Sequence, residues 1–203
     1  DSFNLGNIDK DTYDLSNVTD GMREIKSDKY KLSMRIPADY TQYSSKAENE
    51  FIFINTDSDV NSNVHLGIFS KTDTVTAEKL AKYDHDNRIK MYNPDLSKIS
   101  DVEKINDSEY RYTHTISGSS KGDNYNIDVF FEKGDYIYNM SVVVPSKNDA
   151  STAEKIIGSL KTEELDSAQI GKLLRNDSDN ETLASNTIEK YKFSLPVSWK
   201  GIA

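Results

Sequence analysis

The chain has 203 residues, and its 34 acidic side chains outnumber 25 basic ones, giving a net charge of -9. Such a surface repels phosphate backbones and gains nothing by counterion release, so nucleic-acid binding is disfavoured; no apolar run approaches the roughly 20 residues of a membrane-spanning helix. The absence of cysteine removes thiolate catalysis, thiolate metal sites and disulfides, while twelve Tyr and seven Phe are enough to build a core.

Residues 1–28 are polar, and their apolar residues are too scattered to hold period 2 or 3.6, which predicts a leader or linker. In YKLSMRIP, Tyr30, Leu32, Met34 and Ile36 alternate with polar residues up to Pro37, the pattern of a strand with one wet face. EFIFIN (Glu50 to Asn55) is apolar on both faces, so a central strand covered on each side is expected. The turn formers of residues 56–63 separate it from VHLGIF (Val64 to Phe69), and the two are expected to pair antiparallel.

Helix formers from Thr76 to Met91 put Ala77, Leu80 and Tyr83 on one face, and Asn93-Pro94 ends the helix. Tyr110, Tyr112, His114 and Ile116 alternate along the next strand, and residues 117–123 read as a loop. The clearest hairpin runs from Tyr125 to Val144 with its turn at Lys133-Gly134-Asp135. Ser151 and Glu154 have capping-box spacing for a helix that closes near Lys161, with Ile156, Ile157 and Leu160 as its apolar stripe. Residues 165–175 predict a further short helix, followed by a polar linker. Strands in sequence with segregated helices define an α+β domain over residues 29–162.

The last residues, YKFSLPVSW (Tyr191 to Trp199), align at the proline with LSMRIPADY (Leu32 to Tyr40). Any amphipathic strand ending at proline would look similar, and the repeat reading makes residues 187–203 the first strand of a second, similar domain. Tyr191, Phe193, Leu195 and Trp199 form an apolar stripe that cannot be buried alone, so pairing with a sheet edge of the same chain or of another copy is expected.

The strand-Pro-x-x-aromatic opening, the Thr76 helix, the hairpin YNIDVFFEKGDYIYNMSVVVP and the closing AEKIIGSLK together resemble the PsbP/Mog1-like superfamily over about residues 30–161. The resemblance implies an antiparallel sheet of about six strands between helices, an α/β/α sandwich, and a binding or scaffolding role without shared catalytic residues. Tyr40 stands where tryptophan is commoner in that family, and Trp199 matches better.

Among candidate sites, His65, His85 and His114 are the only side chains that titrate near neutrality unperturbed. His65 and His114 sit in strands and read as satisfied strand histidines. Asp57, Asp59 and Asn61 begin a calcium-loop spacing that fails at Ser62, where glycine belongs, and at Ile68, where glutamate belongs. Turn formers between two strands account for them, and no metal site is expected. No GxSxG elbow or phosphate loop occurs. The strand tyrosines are expected in the core with their hydroxyls at the rim, an exposed cluster pointing instead to a protein or sugar partner. These readings together indicate a non-enzymatic, exported bacterial protein that binds a protein partner or surface assembly, needs no cofactor and is compatible with an upstream lipid anchor. The alternatives are a carbohydrate- or small-ligand-binding module and a hydrolase built on a strand histidine.

Overall fold

Two antiparallel sheets face each other across the principal core of this protein, whose computed structural model describes residues 18–43, 47–55, 62–119 and 122–174. Asp1–Leu173 and Leu174–Ala203 are separate units, so the described residues belong, but for Leu174, to the first. The smaller sheet has the order β1 (Met22–Ser27), β2 (Leu32–Pro37) and β11 (Lys161–Thr162). The larger runs β3 (Tyr40–Tyr43), β4 (Glu50–Asn55), β5 (Asn63–Ser70), β10 (Tyr136–Val144), β9 (Gly122–Lys133), β8 (Glu109–Ser119) and β6 (Ser97–Ile99), and β7 (Glu103–Asn106) also pairs with β8.

Alternation along each strand decides the packing. Phe51, Phe53, Leu66, Ile127, Met140 and Val142 point from one face of the large sheet onto Ile25, Met34 and Ile36 of the small one. Ala153 and Ile156 of α2 (Ala150–Ser159) join the same core. The opposite face carries a smaller cluster in which Ala77, Leu80 and Ala81 of α1 (Ala77–Met91) meet Phe69, Phe130, Ile137 and Tyr112. Thr76 caps α1, its side chain accepting from the Lys79 amide at 3.3 Å, and the helix ends at Tyr92 just before Asn93-Pro94.

The α+β class holds, with more strands than six and two sheets instead of one continuous sheet. β2 leaves the large sheet because it pairs on one side with β1 and on the other with β11. The expected leader contributes β1 from its last residues, whose inward side chains are Arg23, Ile25 and Ser27. Only one of those three is apolar, so the strand has no visible hydrophobic period. Where a loop is expected over residues 117–123, β8 extends to Ser119 and β9 starts at Gly122, because backbone pairing continues after apolar alternation has stopped.

The Gly134-Asp135 turn of the β9–β10 hairpin stands as expected, with Gly134 at φ +58°. Helix α2 begins before Ser151. The 3-10 turn Lys147–Asp149 leads into it, capped by Ser146, and Glu154 reaches across to Arg111 at 2.5 Å instead of back to Ser151. The expected helix after Leu165 is the single turn α3 (Ser167–Ile170), where an Asp166 oxygen accepts from the Ala168 amide.

Candidate functional site

Strand register lays a polar band across the α1 face of the large sheet. Directly paired residues run Tyr43, Ile52, His65, Ser141, Asp128 and Tyr112 through β3, β4, β5, β10, β9 and β8. The neighbouring row carries Asn63, Val143, Asn126 and His114. Polar residues in the middle of a sheet must find partners, since a buried unpaired group costs about 1–3 kcal/mol.

Helix α1 supplies the central partner. Arg88 donates from Nη2 to Asp128 Oδ1 at 3.0 Å and from Nε to the Tyr112 hydroxyl at 2.7 Å. Burial works against the Arg88 charge, but Asp128, with help from Tyr112, outweighs it and holds the guanidinium above its ordinary pKa. Burial, reinforced by the Asp128 charge, raises the Tyr112 phenol well above its usual range, so it is neutral at physiological pH and accepts from Arg88.

Asn126 links the rest. Its Nδ2 donates to Asp128 Oδ2 at 2.8 Å and lies 3.3 Å from His114 Nδ1, while its Oδ1 accepts from Ser141 Oγ at 3.2 Å. His114 is buried, 3.8 Å from Asp128 Oδ2, with the Tyr92 ring 5.5 Å away. His114 is therefore a satisfied strand histidine, and the Ser141 hydroxyl is committed to Asn126. A histidine beside a carboxylate is present here without a hydroxyl held by that histidine, which is what nucleophilic catalysis requires.

The band changes character where α1 ends its cover. β4 lies between the edge strand β3 and β5, second from the sheet edge and not central. Among the described residues nothing covers its second face, so Ile52 is half-buried and Ile54 is 37% exposed, contrary to the double cover that its sequence suggests. Tyr43, opposite Ile52, is 59% exposed. His65 lies among them, its Nε2 4.0 Å from Glu50 Oε2. His85, on α1, contacts Asp86 at 3.2 Å and sets its ring edge-on to Tyr112. The result is an apolar flank, Tyr43, Ile52 and Ile54, bordered by a buried, self-satisfied polar network.

Asp57, Asp59 and Asn61 lie outside the described residues, as do Tyr191, Phe193, Leu195 and Trp199. Among the described residues no cluster of three or more His, Asp or Glu could hold a metal ion. Of the strand tyrosines, Tyr112, Tyr136 and Tyr138 are core, and Tyr136 donates to the Gly171 carbonyl at 2.8 Å. Tyr138 departs from the expected rim placement, because its hydroxyl is buried without a hydrogen-bond partner among the described residues. Sequence reasoning missed Arg88, Asn126 and Asp128. The signal was the run Asn124, Asn126, Asp128 on one face of β9 beside Phe130, a strand too polar for solvent alone to explain.

No family model matches the chain, and no curated protein matches it in sequence. Its structure is similar to the solution structure of PsbP from the cyanobacterium Synechocystis, at a TM-score of 0.50 and 11% identity, over 72% of this chain and 95% of that one. It is also similar to the Saccharomyces cerevisiae Ran-binding protein Mog1p, at 0.48 and 8%, over 70% and 96%. A third similar structure is LpqN of Mycobacterium tuberculosis, a protein involved in cell envelope biogenesis, at 0.39 and 12%, over 71% and 87%. The chain has the PsbP/Mog1-like fold.

Proposed function

We propose that this chain is a non-enzymatic, exported partner-binding module that engages a protein through the apolar flank of its large sheet. The observation that carries the reading is the second face of β4, which no described residue covers and where Tyr43, Ile52 and Ile54 share one side of the sheet beside its edge. Apolar side chains clustered on an exposed face gain free energy when a partner covers them, at about 25 cal/mol per Å². The polar network next to the flank ties α1 to the sheet through Arg88 and Asp128. Function does not travel with fold, so the reading rests on this surface and not on the proteins it resembles.

The test is photo-crosslinking in the native cell. A photoreactive residue placed at Tyr43 or Ile54 is expected to capture one protein of defined mass, whereas the same residue at the exposed Lys155 on α2 captures none. Equal capture at all three positions, or capture at Lys155 alone, overturns the reading.

A further inference from the structure

The outer face of the small sheet holds a groove of about 450 Å³ bounded by the β1–β2 turn and β11. Register explains its lining. Lys26 of β1 and Lys161 of β11 both pair with Ser33 of β2, so two ammonium side chains flank one hydroxyl on the same face. Lys31 lines the groove from the β1–β2 turn with a left-handed backbone, φ +44°, its amide bonded to the Asp28 carbonyl at 3.3 Å. A non-glycine residue held there is strained, and such strain concentrates at binding sites. Lys31 and Lys161 enter no ion pair among the described residues, and Lys26 meets only Glu24, at 3.0 Å between exposed side chains that solvent screens.

In a chain of net charge -9, three lysines line this one groove, beside two carboxylates. Lysine ammonium groups and a serine hydroxyl lining one groove offer the charge and donors that a phosphate group accepts. The groove also contains Asp28 and Glu163, which would repel a bare anion but accept from the hydroxyls of its carrier. Its volume of about 450 Å³ is more than phosphate alone fills. We propose that the groove binds a phosphate group carried on a short polyol, with Lys26, Lys31, Lys161 and Ser33 holding the phosphate and Asp28 and Glu163 the hydroxyls. This chemistry is shared by a soluble glycerol phosphate and by a glycerophospholipid headgroup.

The full chain is titrated with glycerol 3-phosphate, glycerol and inorganic phosphate while amide shifts are followed by NMR, and co-sedimented with phosphatidylglycerol vesicles. Glycerol 3-phosphate is expected to give saturable shifts at Ser33 and Thr162 and to bind more tightly than either fragment. Lys161→Gln weakens it by at least about tenfold at an unchanged Tm. Lys31→Gly weakens it as well while raising the Tm, a combination that a purely structural lysine would not give. Vesicle binding that also falls in Lys161→Gln identifies the headgroup as the source, and binding of glycerol 3-phosphate without vesicles identifies the soluble ester. No saturable shift with either probe, inorganic phosphate binding as tightly as the ester, or affinity unchanged in Lys161→Gln would overturn the proposal.

Discussion

Arg88 on α1 and Asp128 on β9 are 40 residues apart in sequence and form an ion pair of 3.0 Å, in which Asp128 is 1% exposed. The pair ties the helix to the middle of the large sheet at the border of the apolar flank. Removing one member leaves the other charge in a buried site, so Arg88→Met is expected to cost roughly 3–5 kcal/mol. Asp128→Asn should cost less, since the Arg88 side chain is 23% exposed and can still reach solvent. Double substitution to Arg88→Met and Asp128→Leu should recover most of the loss. Urea unfolding of the four proteins measures this, and a double variant no more stable than Arg88→Met would contradict it.

Tyr138 contributes to the alkaline decline of stability, alongside Tyr112, whose phenol is raised further. Burial, with a smaller contribution from Tyr136, pushes its hydroxyl up to about 12 from an ordinary value of 10.0. Below pH 10 the proton is bound in folded and unfolded chains alike, and stability is intact. Between pH 10 and 12 the unfolded chain sheds the proton first, so stability falls, by roughly 2–3 kcal/mol at full effect. Tyr138→Phe removes a buried hydroxyl that has no hydrogen-bond partner among the described residues. It should leave stability at neutral pH unchanged or raise it by about 1 kcal/mol, and flatten the alkaline decline. Denaturant midpoints across this pH range provide the check.

Gly67 is required by its neighbour. A Cβ there would lie 2.3 Å from Phe69 Cζ, because the Phe69 ring folds back over the glycine on the α1 face. Gly67→Ala is expected to destabilise by about 1–3 kcal/mol through overpacking, and Phe69→Leu in the same chain should relieve part of that. Thermal unfolding of both variants tests the contact, and a neutral Gly67→Ala would refute it.

Much of this architecture is readable in the amino-acid sequence wherever one face of an element is uniformly apolar. β4, β5, α1 and the β9–β10 hairpin fall where their periods put them, because Phe51, Leu66, Leu80, Ile127 and Met140 each repeat with their neighbours. The elements that escape are those whose partners substitute for apolarity. β1 buries Arg23, whose Nη2 donates to the Tyr40 carbonyl at 2.5 Å, so a strand is held where a polar leader is expected. β6 and β7 are short and polar, and exist only because β8 offers them an edge.

The site was legible to a lesser degree. His65 and His114 stand out as single residues, but their meaning depends on Asn126, Asp128 and Arg88, which register and helix packing bring together. The open face of β4 was hidden for the opposite reason. Ile52 and Ile54 look like core, but α1 lies over β8, β9 and β10, and no other described residue covers them.

The most direct measurement compares the crosslinked complex formed in cells by two variants, read from a photoreactive residue at Tyr43. Ile54→Asp changes the flank and should abolish the complex, at a cost in stability of about 1–2 kcal/mol that leaves the chain folded. The double variant Arg88→Met, Asp128→Leu removes the buried charges and should keep the complex. Retention by Ile54→Asp together with loss in the double variant would place function in the buried network and contradict the account.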